Sequence, residues 1–412
     1  MRVLFVSGDF FPVIGGISLM VHGLAEACVD LGHDVTVLAP GARHETDAEF
    51  PYTVLRDSRR QPGNRQRLAR LLYHYGAARE LRKVVLELKP DLILLGVYKT
   101  YAGACLRIGR ECGIPVGGLV HGLEVLSVLV QQESAILRRI RRATGYPTSR
   151  ERVLAYLQQA DRIFANSSVT SQHVEQRSGR KPITVGCGVP ESALSSVTDW
   201  AQARAGRSQA RARLGLSEAP TIGFVGRLVA RKNVEAILES LNELQDCNAI
   251  IIGDGPMREA WGALAEELGV DARVTFTGEV EESVKWEYFR AMDVFCLPSR
   301  DIAGYNYEGF GIVFLEATVA GIPVVGGRSG GIPDVVEHER TGLLADPEDS
   351  LDVARCLRRM LEDHELAARC VAAAQARLHG EFNWKVIARR IIDELRPPVR
   401  SVARCRQPAA GS

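Results

Sequence analysis

Two glutamates, Glu308 and Glu316, bracket a glycine-bearing turn in the stretch EGFGIVFLE. The apolar run after Gly311 predicts a helix, so Glu308 should lie in a loop and Glu316 on that helix. Backbone N–H groups at a helix N-terminus bind anions well, and carboxylates accept hydrogen bonds from hydroxyls. This spacing suits a ligand with sugar hydroxyls at both ends and phosphate between them.

Two cations lie in an earlier loop of the same half of the chain. Gly226-Arg227 ends an apolar run, and Lys232 stands where the next helical pattern begins. An arginine fork and a lysine point charge can hold a diphosphate from two sides and stabilise charge that grows on a leaving group. A solvated basic loop is the alternative, because Arg231 is present as well. The two glutamates in the same half favour the functional interpretation.

Glycine turns and one histidine follow other apolar runs. Gly15-Gly16 opens a helical pattern whose backbone could approach a phosphate, although an ordinary strand–helix turn explains it too. His121 could hydrogen-bond a sugar hydroxyl, and a structural role is equally open. Three further turns are either plain turn chemistry or parts of a nucleotide site. They contain Gly253, Gly278 with Val280, and Gly326-Gly327 with Gly330-Gly331.

The elements that must position these residues follow a βαβ rhythm that occurs twice. The strand-like runs are mostly apolar throughout, as expected of parallel strands buried on both faces. The fold class is therefore α/β, with two Rossmann-like doubly wound domains facing a cleft and ligands beyond the strand C-terminal ends. The predicted strands are 2–7, 34–39, 91–95, 116–120 and 162–165, then 221–225, 249–252, 274–277, 294–297 and 323–325. The clearest predicted helices are 19–31, 233–244, 258–268 and 386–395.

Bulk composition fits two soluble domains. The chain has 412 residues, more than one ordinary core, and a net charge of +1, which gives no general attraction to nucleic acid. The nine cysteines form no C-x-x-C pair, which favours reduced thiols in a cytoplasmic protein. No apolar run of membrane-spanning length occurs.

Positive charge is concentrated in one region, since residues 51–150 carry 18 basic and 7 acidic side chains. Solvated helix faces are the simpler explanation, and contact with anionic lipid at the inner face of the membrane is the sharper one. The arginines involved are Arg59, Arg60, Arg65, Arg67, Arg70, Arg138, Arg139, Arg141 and Arg142.

Together these motifs resemble a retaining GT-B glycosyltransferase of family 4. The resemblance rests on the Glu308/Glu316 spacing, on Arg227 with Lys232, on Gly15-Gly16 and on FNW at 382–384 before the last helix. It covers the chain from its start to about residue 395. The long loop before Glu308 is most similar to the mannosyltransferase-like branch, which includes phosphatidylinositol mannosyltransferases. Asn233 and Cys187 stand where the family usually has Gly and Asn.

The resemblance implies a role for each motif. Glu316 would bind the ribose of a nucleotide diphosphosugar, Glu308 the transferred sugar, and His121 that sugar from the N-terminal domain. The leaving phosphate would take the acceptor proton, with the anomeric configuration retained. The implied catalytic residues are Glu308, His121, Arg227 and Lys232. The implied donor-binding residues are Gly15, Gly16, Arg227, Lys232, Gly253, Val280, Glu308, Gly311, Ile312, Val313 and Glu316.

The resulting prediction is a hexosyltransferase that uses a GDP- or UDP-sugar. The acceptor is a glycan, a lipid or a small molecule, and no nucleic acid is involved. Mg²⁺ is not expected to be essential, because no Asp-x-Asp triplet occurs and the two cations supply the positive charge. A GT-B sugar-nucleotide epimerase and a non-catalytic nucleotide-sugar-binding protein remain alternatives.

Domain boundaries complete the expectation. Residues 1–195 would form the acceptor domain and 196–383 the donor domain. A helix at about 384–396 would cross back onto the first domain, and 397–412 would be a disordered tail.

Overall fold

A computed structural model describes residues 1–12, 15–59, 67–97, 101–130, 149–304 and 306–396. The chain divides into two compact units. Unit 1 combines Met1–Cys187 with the chain from Trp384 onward, and unit 2 is Gly188–Asn383.

Unit 1 contains a parallel sheet of seven strands. The strands are β1 (Arg2–Val6), β2 (Asp34–Pro40), β3 (Thr53–Asp57), β4 (Leu92–Leu95), β5 (Val116–Val120), β6 (Arg162–Ala165) and β7 (Ile183–Thr184). Their order is β3-β2-β1-β4-β5-β6-β7, so the order reverses between β1 and β4. Val3 on β1 pairs with Val35 on one side and Leu92 on the other. The connecting helices are α1 (Gly16–Asp30), α2 (Arg67–Leu88), α3 (Ala102–Cys112), α4 (Leu123–Val130), α5 (Ser149–Gln159) and α6 (Ser168–Ser178).

Unit 2 repeats this plan with six strands. They are β8 (Thr221–Val225), β9 (Asn248–Ile252), β10 (Val274–Gly278), β11 (Val294–Leu297), β12 (Val324–Gly327) and β13 (Leu343–Ala345). The order is β10-β9-β8-β11-β12-β13, with the reversal between β8 and β11. The helices are α7 (Glu191–Leu194), α8 (Trp200–Leu214), α9 (Val234–Glu243), α10 (Arg258–Glu267), α11 (Glu282–Ala291), α12 (Ile312–Val319), α13 (Ile332–Val335), α14 (Ser350–Glu362) and α15 (His364–Gly380).

The predicted α/β class with two Rossmann-like parallel sheets is confirmed. All ten predicted strands are present, because their apolar runs fill the interior between two helix layers. Three strands were missed. β3 is half-exposed and carries an arginine, while β7 and β13 have only two and three residues. Such short or edge strands lack the continuous apolar run on which the prediction depends.

Within unit 2, helix α8 is anchored through Asp293. Arg207 Nη1 donates to Asp293 Oδ1 at 2.8 Å, and Arg211 binds the other carboxylate oxygen. The backbone N–H of Thr221 donates to Asp293 Oδ2 at 2.7 Å. One carboxylate therefore links α8 to the first residue of β8 and to the start of β11.

The last described helix, α16 (Trp384–Leu395), packs within unit 1 against α1. A Cβ atom on Gly23 would lie 2.3 Å from Nε1 of Trp384, so the indole occupies the space that a side chain on α1 would need. Lys385 and Asp30 add an ion pair of 3.2 Å. A glycine on α1 thus provides the seat for the tryptophan that begins α16.

Seven cysteines are free and buried: Cys28, Cys105, Cys187, Cys247, Cys296, Cys356 and Cys370. Cys112 is disulfide-bonded, so the expectation of reduced thiols is wrong for this residue. Among the described helices, none is both long and apolar enough to cross a lipid bilayer.

Part of the basic region and the chain after residue 396 lie outside the described residues. That part comprises Arg60, Arg65, Arg138, Arg139, Arg141, Arg142 and the tail predicted for 397–412. Arg59 is described, and its Nε donates to Asp57 Oδ1 at 2.7 Å. One arginine of the basic region is therefore engaged inside unit 1.

Candidate functional site

The loops that follow β8 and β11 hold the central pair of charged residues in unit 2. These strands are neighbours at the point where the strand order reverses, which is where ligands bind in open parallel sheets. Lys232 ends a 3-10 turn (Ala230–Lys232) after β8, and Glu308 lies in the loop after β11. Lys232 Nζ is 2.5 Å from Glu308 Oε2. The topology thus explains how residues 76 positions apart meet.

Glu308 is a largely buried carboxylate among cations. Its side chain is 13% exposed, and Arg231 Nη2 lies 3.9 Å from Oε2. Burial acts to raise the pKa of Glu308, but the charges of Lys232 and Arg231, with hydrogen bonds from Lys232 and the Gly309 amide, outweigh it. The net pKa lies below its usual value, so the carboxylate is ionised and can accept hydrogen bonds from hydroxyls.

Glycines shape the backbone around this pair. Gly330 has φ +56°, and a Cβ there would lie 2.5 Å from the carbonyl oxygen of Glu308. The N–H of Gly331 donates to the same carbonyl at 2.8 Å. Gly253 has φ +122°, and its Cβ would lie 2.2 Å from the carbonyl oxygen of Gly226. Only glycine allows these backbone segments to approach so closely. The two turns therefore help to position the loops that carry Glu308 and Lys232.

Asn233, the departure from the family pattern next to Lys232, has a clear local reason. Its φ is +56°, a left-handed conformation that Asn tolerates better than most residues. Its Nδ2 donates to the carbonyl oxygens of Pro298 at 3.1 Å and Pro347 at 2.7 Å. The side chain therefore links the turn of Lys232 to the loop after β11 and to the segment after β13.

Glu316 lies on α12, which begins after Gly311 in a left-handed conformation and has no side-chain cap. Its partner is Lys285 on α11, whose Nζ is 3.0 Å from Glu316 Oε1 and 2.9 Å from Glu282 Oε1. Burial raises the pKa of Glu316, and Lys285 opposes that rise without cancelling it. The two glutamates of the motif thus have pKa values shifted in opposite directions.

Lys285 is the functional candidate that sequence reasoning missed. Its spacing to Glu282 is that of an ordinary surface ion pair on a helix, so it gave no separate signal. Its contact with Glu316 joins residues 31 positions apart, which only the packing of α11 beside α12 reveals.

The remaining predicted residues of unit 2 lie just after strands or at the start of α12. Arg227 is exposed directly after β8 and, among the described residues, makes no ion pair. Val280 follows Gly278, whose carbonyl accepts from the Gly253 N–H at 2.8 Å. Ile312 and Val313 form the first turn of α12 and are half-buried.

In unit 1 the predicted residues lie at the start of α1 and just after β5. Gly16 begins α1, and the N–H of Gly15 donates to Ser18 Oγ at 2.8 Å. A Cβ on Gly15 or Gly16 would meet no atom within 4 Å. His121 follows β5, and its Nε2 lies 2.8 Å from the carbonyl oxygen of Gly96, an acceptor, so Nε2 carries the proton.

Comparison with known proteins finds two different glycosyltransferase family models, one over most of each unit. Residues 14–192 match the model described as Glycosyltransferase Family 4, and residues 207–377 match Glycosyl transferases group 1. The chain is 30% identical to a GDP-mannose-dependent alpha-(1-6)-phosphatidylinositol monomannoside mannosyltransferase of Mycobacterium tuberculosis, over 96% of this chain and 98% of that protein. The protein of the same name from Mycolicibacterium smegmatis is 28% identical, over 95% and 98%.

A solved structure shows the same fold at low identity. HepE of Anabaena, crystallised in complex with UDP, matches with a TM-score of 0.73 and 21% identity, over 96% of this chain and 99% of that one. The predicted GT-B fold is therefore confirmed.

Proposed function

Because this chain belongs to the family 4 glycosyltransferases, we propose that it transfers a mannosyl group from GDP-mannose to a hydroxyl of a phosphatidylinositol-type lipid, with retention of the anomeric configuration. The observation that carries the proposal is the likeness to a GDP-mannose-dependent mannosyltransferase over nearly the whole of both chains. The charged pair at the reversal point of unit 2 agrees with it.

The chemistry assigned to unit 2 starts from the pair of Lys232 and Glu308. An ammonium group has three donors, so Lys232 can keep one on Glu308 and turn the others to the diphosphate. Exposed Arg227 is free to supply the second cation. Glu308 then accepts hydrogen bonds from hydroxyls of the mannosyl ring, and Glu316 accepts from the ribose.

In the transfer step the acceptor oxygen forms a bond with the anomeric carbon as the bond from that carbon to the β-phosphate oxygen breaks. The electron pair of the broken bond stays with GDP, and the acceptor proton passes to the leaving phosphate. Lys232 and Arg227 stabilise the negative charge that develops there. Glu308 acts by holding the sugar in position, which is how a hydrogen-bonding side chain lowers the barrier.

The donor contacts expected of Gly15, Gly16 and His121 remain predictions. The excess of basic residues between 51 and 150 supports a peripheral contact with anionic lipid, which an inositol-phospholipid acceptor would require. Mg²⁺ is not assigned a role, since Lys232 and Arg227 provide the charge.

The test measures GDP release and mannosylated product with GDP-mannose and phosphatidylinositol or its monomannoside in mixed vesicles. We expect Glu308→Gln and Lys232→Met each to lower kcat/KM by about 100-fold or more, the usual effect of losing a transition-state contact. Arg213→Met is the matched control, because Arg213 is an exposed arginine paired with Glu287 at 3.4 Å.

Three outcomes would contradict the proposal. If Glu308→Gln and Lys232→Met both turned over within threefold of wild type, the proposed site would be wrong. Transfer from a UDP-sugar but not from GDP-mannose would show that GDP-mannose is not the donor. Formation of an isomerised nucleotide sugar without any acceptor would show that the protein is an epimerase and not a transferase.

A further inference from the structure

Lys285 stands between two carboxylates at the edge of the proposed donor site. Its Nζ lies 3.0 Å from Glu316 on α12 and 2.9 Å from Glu282 on its own helix. The side chain of Lys285 is 15% exposed and that of Glu316 is 21% exposed, whereas that of Glu282 is 70% exposed. The lysine therefore has one sheltered partner and one that reaches into solvent.

We propose that Lys285 is a positioning residue, which orients the Glu316 carboxylate for the ribose hydroxyls and keeps it ionised, with Glu282 as a second partner. This inference rests on the proposed role of Glu316 as the ribose ligand. The lysine acts only through Glu316, and no contact between Lys285 and the donor is invoked.

The geometry supports an orienting role. The bond from Lys285 to Oε1 leaves the other carboxylate oxygen of Glu316 to accept from a hydroxyl. Because Lys285 also binds Glu282, it can weaken its hold on Glu316 without losing every acceptor when both carboxylate oxygens turn to the ribose. A lysine with a single buried partner would resist that exchange, because its charge would be left uncompensated.

Electrostatics supports the second part of the role. A ribose ligand must be a carboxylate to accept from two hydroxyls, and burial favours the protonated acid. Lys285 lowers the pKa of Glu316 and Glu282 raises it, and among the described residues these are the charged groups that act on it. Loss of Lys285 would leave a buried glutamate that takes up a proton closer to neutral pH.

The first measurement compares Lys285→Met and Lys285→Arg with wild type in GDP-mannose binding and in steady-state kinetics. We expect Lys285→Met to raise the Kd and the KM for donor about tenfold, which is the loss of one charge-assisted hydrogen bond, with kcat changed less than about twofold. Lys285→Arg should recover most of the affinity. Arg290→Met is the control, because Arg290 is on the same helix and pairs with Glu287 at 2.8 Å.

The second measurement follows the Kd for GDP-mannose from pH 8 to pH 5. The diphosphate of GDP-mannose does not titrate in this range. A loss of affinity on acidification therefore reports the protonation of groups on the protein. For wild type, affinity should fall as pH drops through the raised pKa of Glu316. The midpoint should move to higher pH in Lys285→Met and to lower pH in Glu282→Gln, which removes the anion that raises that pKa.

Opposite shifts of the two midpoints would support the inference, since a lysine that merely ties two helices together would move neither. Equal affinity and equal midpoints in wild type and Lys285→Met would overturn it while leaving the donor assignment intact. Should Lys285→Met fail to fold, the Glu282→Gln shift and the Lys285→Arg affinity decide the question. A wild-type protein that binds no GDP-mannose would overturn the proposed function first, and this inference with it.

Discussion

At the scale of single residues, Glu308 and Glu316 show that a shared motif does not give a shared electrostatic state. Both side chains are largely but not fully buried and both face a lysine, yet the pKa of Glu308 falls and that of Glu316 rises. Burial is the largest influence on each. The difference comes from Arg231 and the Gly309 amide, which support the charge of Glu308, and from Glu282, which opposes the charge of Glu316. One carboxylate is therefore securely ionised, and the other is sensitive to acid.

The lowered pKa of Glu308 predicts how its ion pair contributes to stability. The folded-state pKa lies below the unfolded value, so the stabilisation is present above the unfolded pKa and is lost as pH falls through the folded one. Glu308→Gln should thus lower the Tm of the free protein by a constant amount from pH 8 to about pH 6, and the difference should shrink below about pH 4. Thermal unfolding of both proteins across this range checks the prediction.

Glu308→Gln removes the negative charge of the side chain but keeps its shape. The ammonium group of Lys232, whose side chain is 10% exposed, then loses its carboxylate partner. Glu348→Gln serves as a comparison, because the side chain of Glu348 is 64% exposed and 3.8 Å from Arg300. A Tm difference for Glu308→Gln that grew on acidification would show that folding does not lower the pKa of Glu308.

At the scale of elements, the turn between β8 and α9 depends on Asn233. Alanine there would lose both side-chain hydrogen bonds and would also have to adopt φ +56°, whereas glycine would lose only the bonds. Stability should fall in the order wild type, Asn233→Gly, Asn233→Ala, with the alanine variant lower by about 2–4 kcal/mol. Urea unfolding measures the order.

The same two variants separate support of the fold from support of the site. Because Asn233 adjoins Lys232, both should raise the KM for donor at a temperature where they remain folded. Asn383→Ala is a suitable control, since this buried asparagine lies in unit 2 outside the Lys232 turn. An alanine variant as stable as the glycine variant would show that the left-handed conformation is not the constraint.

The sequence predicted the buried strands and the charged loops because both have strong local signals. Apolar runs revealed the buried strands, and the apolar run after Gly311 revealed the start of α12. The sequence did not predict the contacts of Lys285 with Glu316 or of Asp293 with α8, because these partners are distant in the chain. Asp293 reads as an ordinary loop residue until Arg207 and Arg211 of α8 are seen to converge on it. Pairings of this kind depend on which helices become neighbours, and that is a property of the topology rather than of any local pattern.

At the scale of the whole molecule, unit 1 is assembled from both ends of the chain. The described part of its C-terminal segment is α16, which is seated on α1 by Trp384 in the space above Gly23. Trp384 is 5% exposed, so Trp384→Ala should destabilise unit 1 by about 3–5 kcal/mol. Unfolding monitored by hydrogen exchange should show lower protection of β1, β2 and α1, with β8 and β9 of unit 2 little changed.

Trp200→Ala is the matched control, because Trp200 begins α8 in unit 2 and is half-buried. Equal loss of protection in both units after Trp384→Ala would contradict the assignment of α16 to unit 1. Gly23→Leu tests the same contact from the other side, and it should lower protection in the same strands.

The seating of α16 on α1 also sets an order of events during translation. Residues 188–383 are one uninterrupted stretch, so unit 2 can finish folding as soon as it has emerged from the ribosome. The N-terminal sheet remains incomplete, with the space above Gly23 uncovered, until residues 384–395 have been synthesised. If translation stopped before α16, the released polypeptide would have a complete unit 2 and a unit 1 with the apolar space above Gly23 still exposed. We expect chaperones and proteases to act on such a product.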